Sequence, residues 1–156
     1  MKARQRRNVE PVRIANLSVY GEVGAGTVVP FTPRHGETTP VALPPNVKES
    51  DAGVLLVCGA SLEDEGIYTG DLLIFTKRFN IRSIFNGEIF IVHIIATGEI
   101  LAKKLVPHGP ETVILRASGG GVRDMHFLRD DIEIKGTWSW AFKGCGKRQN
   151  ELNFLL

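Results

Sequence analysis

Residues 55–75 read LLVCGASLEDEGIYTGDLLIF. Two apolar runs, 54–58 and 71–75, flank a polar segment punctuated by Gly59, Gly66 and Gly70. Short apolar runs bounded by turn residues read as strands, because an amphipathic helix needs a longer stretch with a period near 3.6. Gly59 allows backbone angles that side chains forbid, so the first strand is expected to end in a sharp turn holding Ala60 and Ser61. A single helical turn is expected over 61–65. Asp71 follows Gly70 in a second turn and opens the next strand. The same pattern recurs outward in both directions, predicting further strands at 17–23, 88–95, 99–106, 112–116 and 131–142. Thr97-Gly98 reads as a tight hairpin. The nearly unbroken apolar run 89–95 reads as a strand buried on both faces. No segment gives a convincing amphipathic helix. The fold class is therefore mainly β, expected as a compact, coiled β-sheet structure.

Residues 29–47 hold Pro30, Pro33, Pro40, Pro44 and Pro45. Proline removes ladder donors, so this stretch cannot be a central strand and is expected as an extended loop able to swing. Expected boundaries are a flexible basic arm over 1–16, a domain over 17–143 and a tail over 144–156. There is no helix-turn-helix pattern, so this chain has no evident means of reading DNA sequence.

The chain has 156 residues, 23% charged and 43% hydrophobic, with a formal net charge of +2. That suits one domain with its own core and does not by itself call for nucleic acid or an acidic substrate. Basic residues cluster at Lys2, Arg4, Arg6, Arg7 and Arg13 against Glu10. A solvated terminus is the plain reading and contact with DNA phosphates or an acidic partner the sharper one. Cys58 and Cys145 show no CxxC spacing, which argues against zinc. Cys58 reads as a small buried hydrophobe, and a disulfide between the two has little support. No metal or cofactor is called for. No run approaches a membrane span and no apolar run follows the basic start, so a cytoplasmic protein without membrane contact is expected.

A serine at the end of a rigid strand can act as a nucleophile, with the backbone N–H groups of Ser61 and Ala60 available to a developing oxyanion. Most serines in such turns merely bond the local backbone, so the base decides. His35, His93, His108 and His126 are available, but none stands beside a carboxylate in a triad-like pattern. His93 falls in the most apolar strand and reads as a core or sheet residue. Lysine is the alternative. In 99–106, EILAKKLV, alternation puts Lys103 in phase with Leu101 and Leu105 and turns Lys104 the other way. A lysine on an apolar face loses hydration, which favours the neutral amine that a base requires. The plain reading is a paired or snorkelling lysine.

Gly59-Ala60-Ser61-Leu62-Glu63, followed by Gly66-Ile67 and Gly70-Asp71-Leu72-Leu73-Ile74, resembles the nucleophile segment of the LexA, UmuD and phage-repressor peptidases. The run Lys103-Lys104-Leu105 resembles that family's second motif, and the resemblance makes Lys103 its catalytic lysine. The family cleaves itself at an Ala-Gly or Cys-Gly bond upstream of the serine. Val23-Gly24-Ala25-Gly26, within a cleavage-site segment over 20–30, has a similar spacing from Ser61. The likeness covers about 18–142. It departs at Leu62, where methionine is usual, at a longer 77–87 stretch, and at Ser118-Gly119-Gly120-Gly121, where a Pro-x-Asn turn is usual.

The resemblance implies the LexA-type peptidase fold and a self-cleaving serine peptidase. Ser61 would be the nucleophile, Lys103 the base, and Ala25–Gly26 the bond cut. It also implies a homodimer, cleavage triggered by a RecA-type filament on single-stranded DNA, and a place in the SOS response to DNA damage. The product would be a UmuD-like partner for a translesion polymerase, or this domain would be the C-terminal part of a LexA-like or prophage repressor. The related signal peptidases share the Ser/Lys pair but need a membrane anchor. A non-catalytic dimerisation or partner-binding module of the same fold is the competing reading. The aromatics Trp138, Trp140 and Phe142, placed on one face by strict alternation, are expected in a core or an interface.

Overall fold

A computed structural model describes residues 13–24, 36–59, 62–117, 121 and 123–142. The expected nucleophile Ser61, its neighbour Ala60, the expected Ala25–Gly26 cleavage bond, His35, Cys145 and residues 1–12 and 143–156 lie outside the described residues. The chain is mainly β, as the sequence leads one to expect. Its strands are β1 (Arg13–Gly24), β2 (Thr38–Leu43), β3 (Ala52–Cys58), β4 (Leu72–Thr76), β5 (Ile89–Ile94), β6 (Ile100–His108), β7 (Thr112–Arg116), β8 (Met125–Leu128) and β9 (Ile132–Phe142). They form one mixed nine-stranded sheet in the order β2-β1-β3-β4-β9-β5-β6-β7-β8. The helical content among the described residues is short 3-10 turns, one of them at Glu63–Glu65 beside the expected helical turn. No helix among the described residues is long and apolar enough to cross a membrane.

The sheet coils on itself. β1 and β6 stand far apart in the strand order, yet they touch. Tyr20 and Val23 of β1 share a buried cluster with Leu55 and Val57, Leu73 and Phe75, Ile89 and Ile91, and Ile100 and Ala102. In β3, β4, β5 and β6 these are one face of the strand, taken at every second residue, and in β1 a register shift between Val19 and Glu22 makes the step three residues, so the coil closes around a single interior. The outer faces are covered too. Val41 and Leu43 of β2 pack with Leu17, Val54 and Ile74. Phe79, Ile84 and Phe85, from the long stretch after β4, cover Phe90, Leu101, Leu105 and Leu115. This explains why β5 reads as a nearly continuous apolar run, since both its faces are removed from water.

Two strands were not legible. Residues 29–47 are not loop throughout, because Thr38–Leu43 pairs antiparallel with β1. The proline argument holds in a weaker form. Pro40 lies opposite Asn16 on the outermost strand, where a missing N–H deprives no further neighbour. β8, pairing with β7, is likewise an edge strand, with little buried side chain to announce it. Alternation along β9 is also interrupted. Ile74 pairs with Trp140 and Phe75 with Trp138, so Ser139 is an extra residue in a bulge. The side chains of Trp140 and Phe142, expected on one face with Trp138, lie outside the described residues. Trp138 packs against the interior cluster.

Candidate active site

The turn between β3 and β4 is built by local bonds. The Gly59 N–H donates to the Thr69 hydroxyl at 2.9 Å, and that hydroxyl lies 3.2 Å from the Gly59 carbonyl, to which it donates. Gly59 has φ 109°, the conformation anticipated for a glycine leaving the strand. At the far side, the Asp71 carboxylate accepts from the Tyr68 N–H at 2.9 Å, and the Asp71 N–H donates to the Tyr68 carbonyl at 3.0 Å. Asp71 is buried, and its carbonyl accepts from Val57, so the turn is fastened to the end of β3. Between these fastenings, Leu62 and Ile67 sink into the interior cluster, each 2% exposed. The Ile67 and Glu65 N–H groups both donate to the Leu62 carbonyl. Leu62 therefore holds the chain one residue after Ser61, and Gly59 holds it two residues before.

β1 approaches the same place. It runs parallel to β3, with Glu22 opposite Leu56, Val23 opposite Val57 and Gly24 opposite Cys58. The two strands thus end side by side, one at the residue before Ala25 in the chain and the other three residues before Ser61. Nothing in the sequence announced this parallel pairing, because it joins segments separated by the whole of β2. Cys58 itself is a free thiol and only half-buried, less enclosed than its apolar surroundings suggested.

The two adjacent lysines of β6 occupy different environments. Lys103 is buried, at 3% exposure, opposite Phe90 of β5. Burial pushes its amine below the usual lysine range, and the Asp124 carboxylate acts in the opposite sense. Asp124 is itself held by the Arg116 guanidinium, at 3.2 Å from both Nε and Nη2. Lys104 faces the other way and bonds the Glu65 carboxylate at 2.8 Å. Expecting one apolar face on β6 was too simple, because Ile100 and Ala102 are buried in the interior while Leu101 and Leu105 are buried outside. What separates the lysines is that Lys104 has a carboxylate and partial access to water. Lys103 has no ion-pair partner among the described residues.

The histidines fall elsewhere. His93 on β5 meets Glu133 at 3.3 Å, a cross-strand pair on the sheet, as its placement in the apolar run suggested. His108 and His126 stack edge to face at 5.5 Å near the sheet's β8 edge. No group of His, Cys, Asp and Glu fit to hold a metal occurs among the described residues. Sequence reasoning missed Glu65 and Thr69. Both lie in the quoted stretch, but only the fold shows that one meets Lys104 and the other clamps Gly59.

Comparison with known proteins agrees with this arrangement. Residues 18–138 match the family model described as Peptidase S24-like. A LexA repressor from Clostridium novyi (strain NT) is 31% identical over 83 residues, covering 53% of this chain and 39% of that protein. The match thus spans well under half the length of the curated relative.

Proposed function

The chain belongs to the Peptidase S24-like family, and from that premise we propose that it is a serine peptidase that cuts its own Ala25–Gly26 bond. The observation that carries the reading is the parallel register of Gly24 with Cys58. It sets Gly24, the residue before Ala25 in the chain, beside Cys58, three residues before Ser61 in the chain. The buried Lys103 supports the same reading, because a desolvated amine gives up its proton more readily and can then accept one.

In this reaction neutral Lys103 takes the proton of the Ser61 hydroxyl as the oxygen attacks the Ala25 carbonyl. The backbone N–H groups of Ser61 and Ala60 receive the oxyanion. Collapse of the tetrahedral intermediate breaks the Ala25–Gly26 bond, and the Lys103 ammonium returns a proton to the departing Gly26 amine. Water then releases the acyl group from Ser61 with Lys103 again as base. Holding the bond in the same chain replaces a bimolecular encounter by an internal one, a large rate advantage. The bonds at Gly59 and Asp71 and the burial of Leu62 support this reading, because a catalytic site needs a held backbone.

The proposal extends, by family, to a homodimer in the cytoplasm, to triggering by a recombinase filament on single-stranded DNA, and to the SOS response. There the product would serve as a polymerase partner or as a repressor fragment. Incubation of the purified chain at alkaline pH tests the core of it. Mass spectrometry should find one clip leaving Gly26 as a new N-terminus, and Ser61→Ala should remain intact. A dominant cut elsewhere, or a cut that persists in Ser61→Ala, refutes the assignment. A chain that never clips is the binding module instead.

A further inference from the structure

We infer that Glu65 and Lys104 form a positioning pair for the serine–lysine reaction, fixing the turn that carries Ser61 against strand β6. This rests on the peptidase reading above. The bonds from Thr69 and Asp71 and the burial of Leu62 and Ile67 tie the turn to β3, β4 and the interior. These bonds run within the turn and to the end of β3. In the sheet, β4, β9 and β5 stand between β3 and β6, so no ladder joins the nucleophile's strand to the base's strand. Their relative placement depends on contacts made across the coil.

The ion pair is such a contact. Glu65 belongs to the 3-10 turn Glu63–Glu65, which follows Ser61 through the buried Leu62. Lys104 follows Lys103 in the chain, and its Nζ lies 2.8 Å from Glu65 Oε1. Alternation sends Lys103 to the opposite face, so the pair can hold the strand without touching the reacting atoms. A carboxylate and an ammonium that are 27% and 34% exposed add little to folding stability. Small misplacements of reacting groups are much costlier in rate. Glu88 lines the same hollow as Glu65 and Lys104, beside Ile89 and Trp138. A neutral substitution of Glu65 would leave Lys104 a substitute carboxylate, so charge reversal is the sharper probe.

The test uses the full chain with Glu65→Lys, Lys104→Glu and the double swap, beside Ser61→Ala and Lys103→Ala. The first-order clipping rate is read on its alkaline plateau, where a changed charge near Lys103 no longer alters the fraction of neutral amine. Thermal unfolding is read in parallel. Each single reversal should slow the plateau about tenfold with a melting temperature within a few degrees of the parent, and the swap should restore most of the rate. Single reversals that clip at the parental rate, with Ser61→Ala and Lys103→Ala inert, overturn the inference and leave the peptidase reading standing. Rate losses that follow losses of melting temperature, unrelieved by the swap, reduce the pair to an ordinary structural contact and overturn it as well. A parent that does not clip, or a Ser61→Ala or Lys103→Ala variant that does, removes the peptidase reading first.

Discussion

Replacing Lys103 by methionine separates the burial of this lysine from its chemistry. The side chain is 3% exposed and has no ion-pair partner among the described residues, since the Asp124 carboxylate is bonded to Arg116. Burying an unpaired ammonium costs folding free energy, whereas methionine is unbranched, similar in length and suited to irregular apolar space. Substitution of a buried charge by a hydrophobe of similar volume commonly stabilises by about 1–3 kcal/mol. In a chain of this size each kcal/mol moves the melting temperature by about 2–4 °C, which predicts a rise of roughly 3–10 °C. The sign with pH follows from linkage. The folded amine is depressed below the usual 10.5, so between the two values the unfolded chain holds the extra proton and the parent gains stability as pH rises. The advantage of methionine is therefore largest below the folded value and fades as pH approaches about 10.5. Calorimetry of Ser61→Ala against Ser61→Ala/Lys103→Met, from neutral to alkaline pH, measures this without interference from cleavage. A double variant that is less stable than its parent by an amount independent of pH refutes the account, because Lys103 would then be held by interactions that favour its charge.

Cleavage of the parent chain should be slow at neutral pH and accelerate as pH rises. Asp124→Asn should move that rise to lower pH, because it removes the carboxylate that favours the ammonium and releases the Arg116 charge; a rise moved to higher pH, followed by timed electrophoresis, counts against the assignment. Thr69→Val removes both hydroxyl contacts with Gly59 and should cost about 1–2 kcal/mol of stability in denaturant unfolding. It should also slow clipping more than that loss explains, and an unchanged rate would show that the Gly59 clamp does not matter to Ser61. Gly136→Ala would bring a new Cβ to 2.5 Å from the Thr76 carbonyl oxygen at the β4–β9 contact. A loss of about 1–3 kcal/mol is expected, and a melt identical to the parent's would mean that the two strands separate more easily than their register implies.

The sequence by itself determined the strand content, because a sheet with both faces covered leaves short apolar runs between turn residues. It also placed Lys103 and Lys104 on opposite faces by alternation along 99–106, but both faces of β6 are buried, and the Glu65 contact of Lys104 is what leaves Lys103 as the enclosed one. The prolines of 29–47 correctly excluded a central strand but could not disclose an edge strand, since edge pairing tolerates proline and leaves a weak pattern. The bulge at Ser139 was invisible for a related reason. Only the partner strand shows that one residue has no counterpart. The parallel pairing of β1 with β3 and the meeting of Glu65 with Lys104 were decided by the tertiary structure alone. Both depend on how the sheet coils, a property of all nine strands together. The motifs offer candidates for the reacting groups, whereas the geometry that brings strands of a coiled sheet to one end is written in no single stretch of the chain.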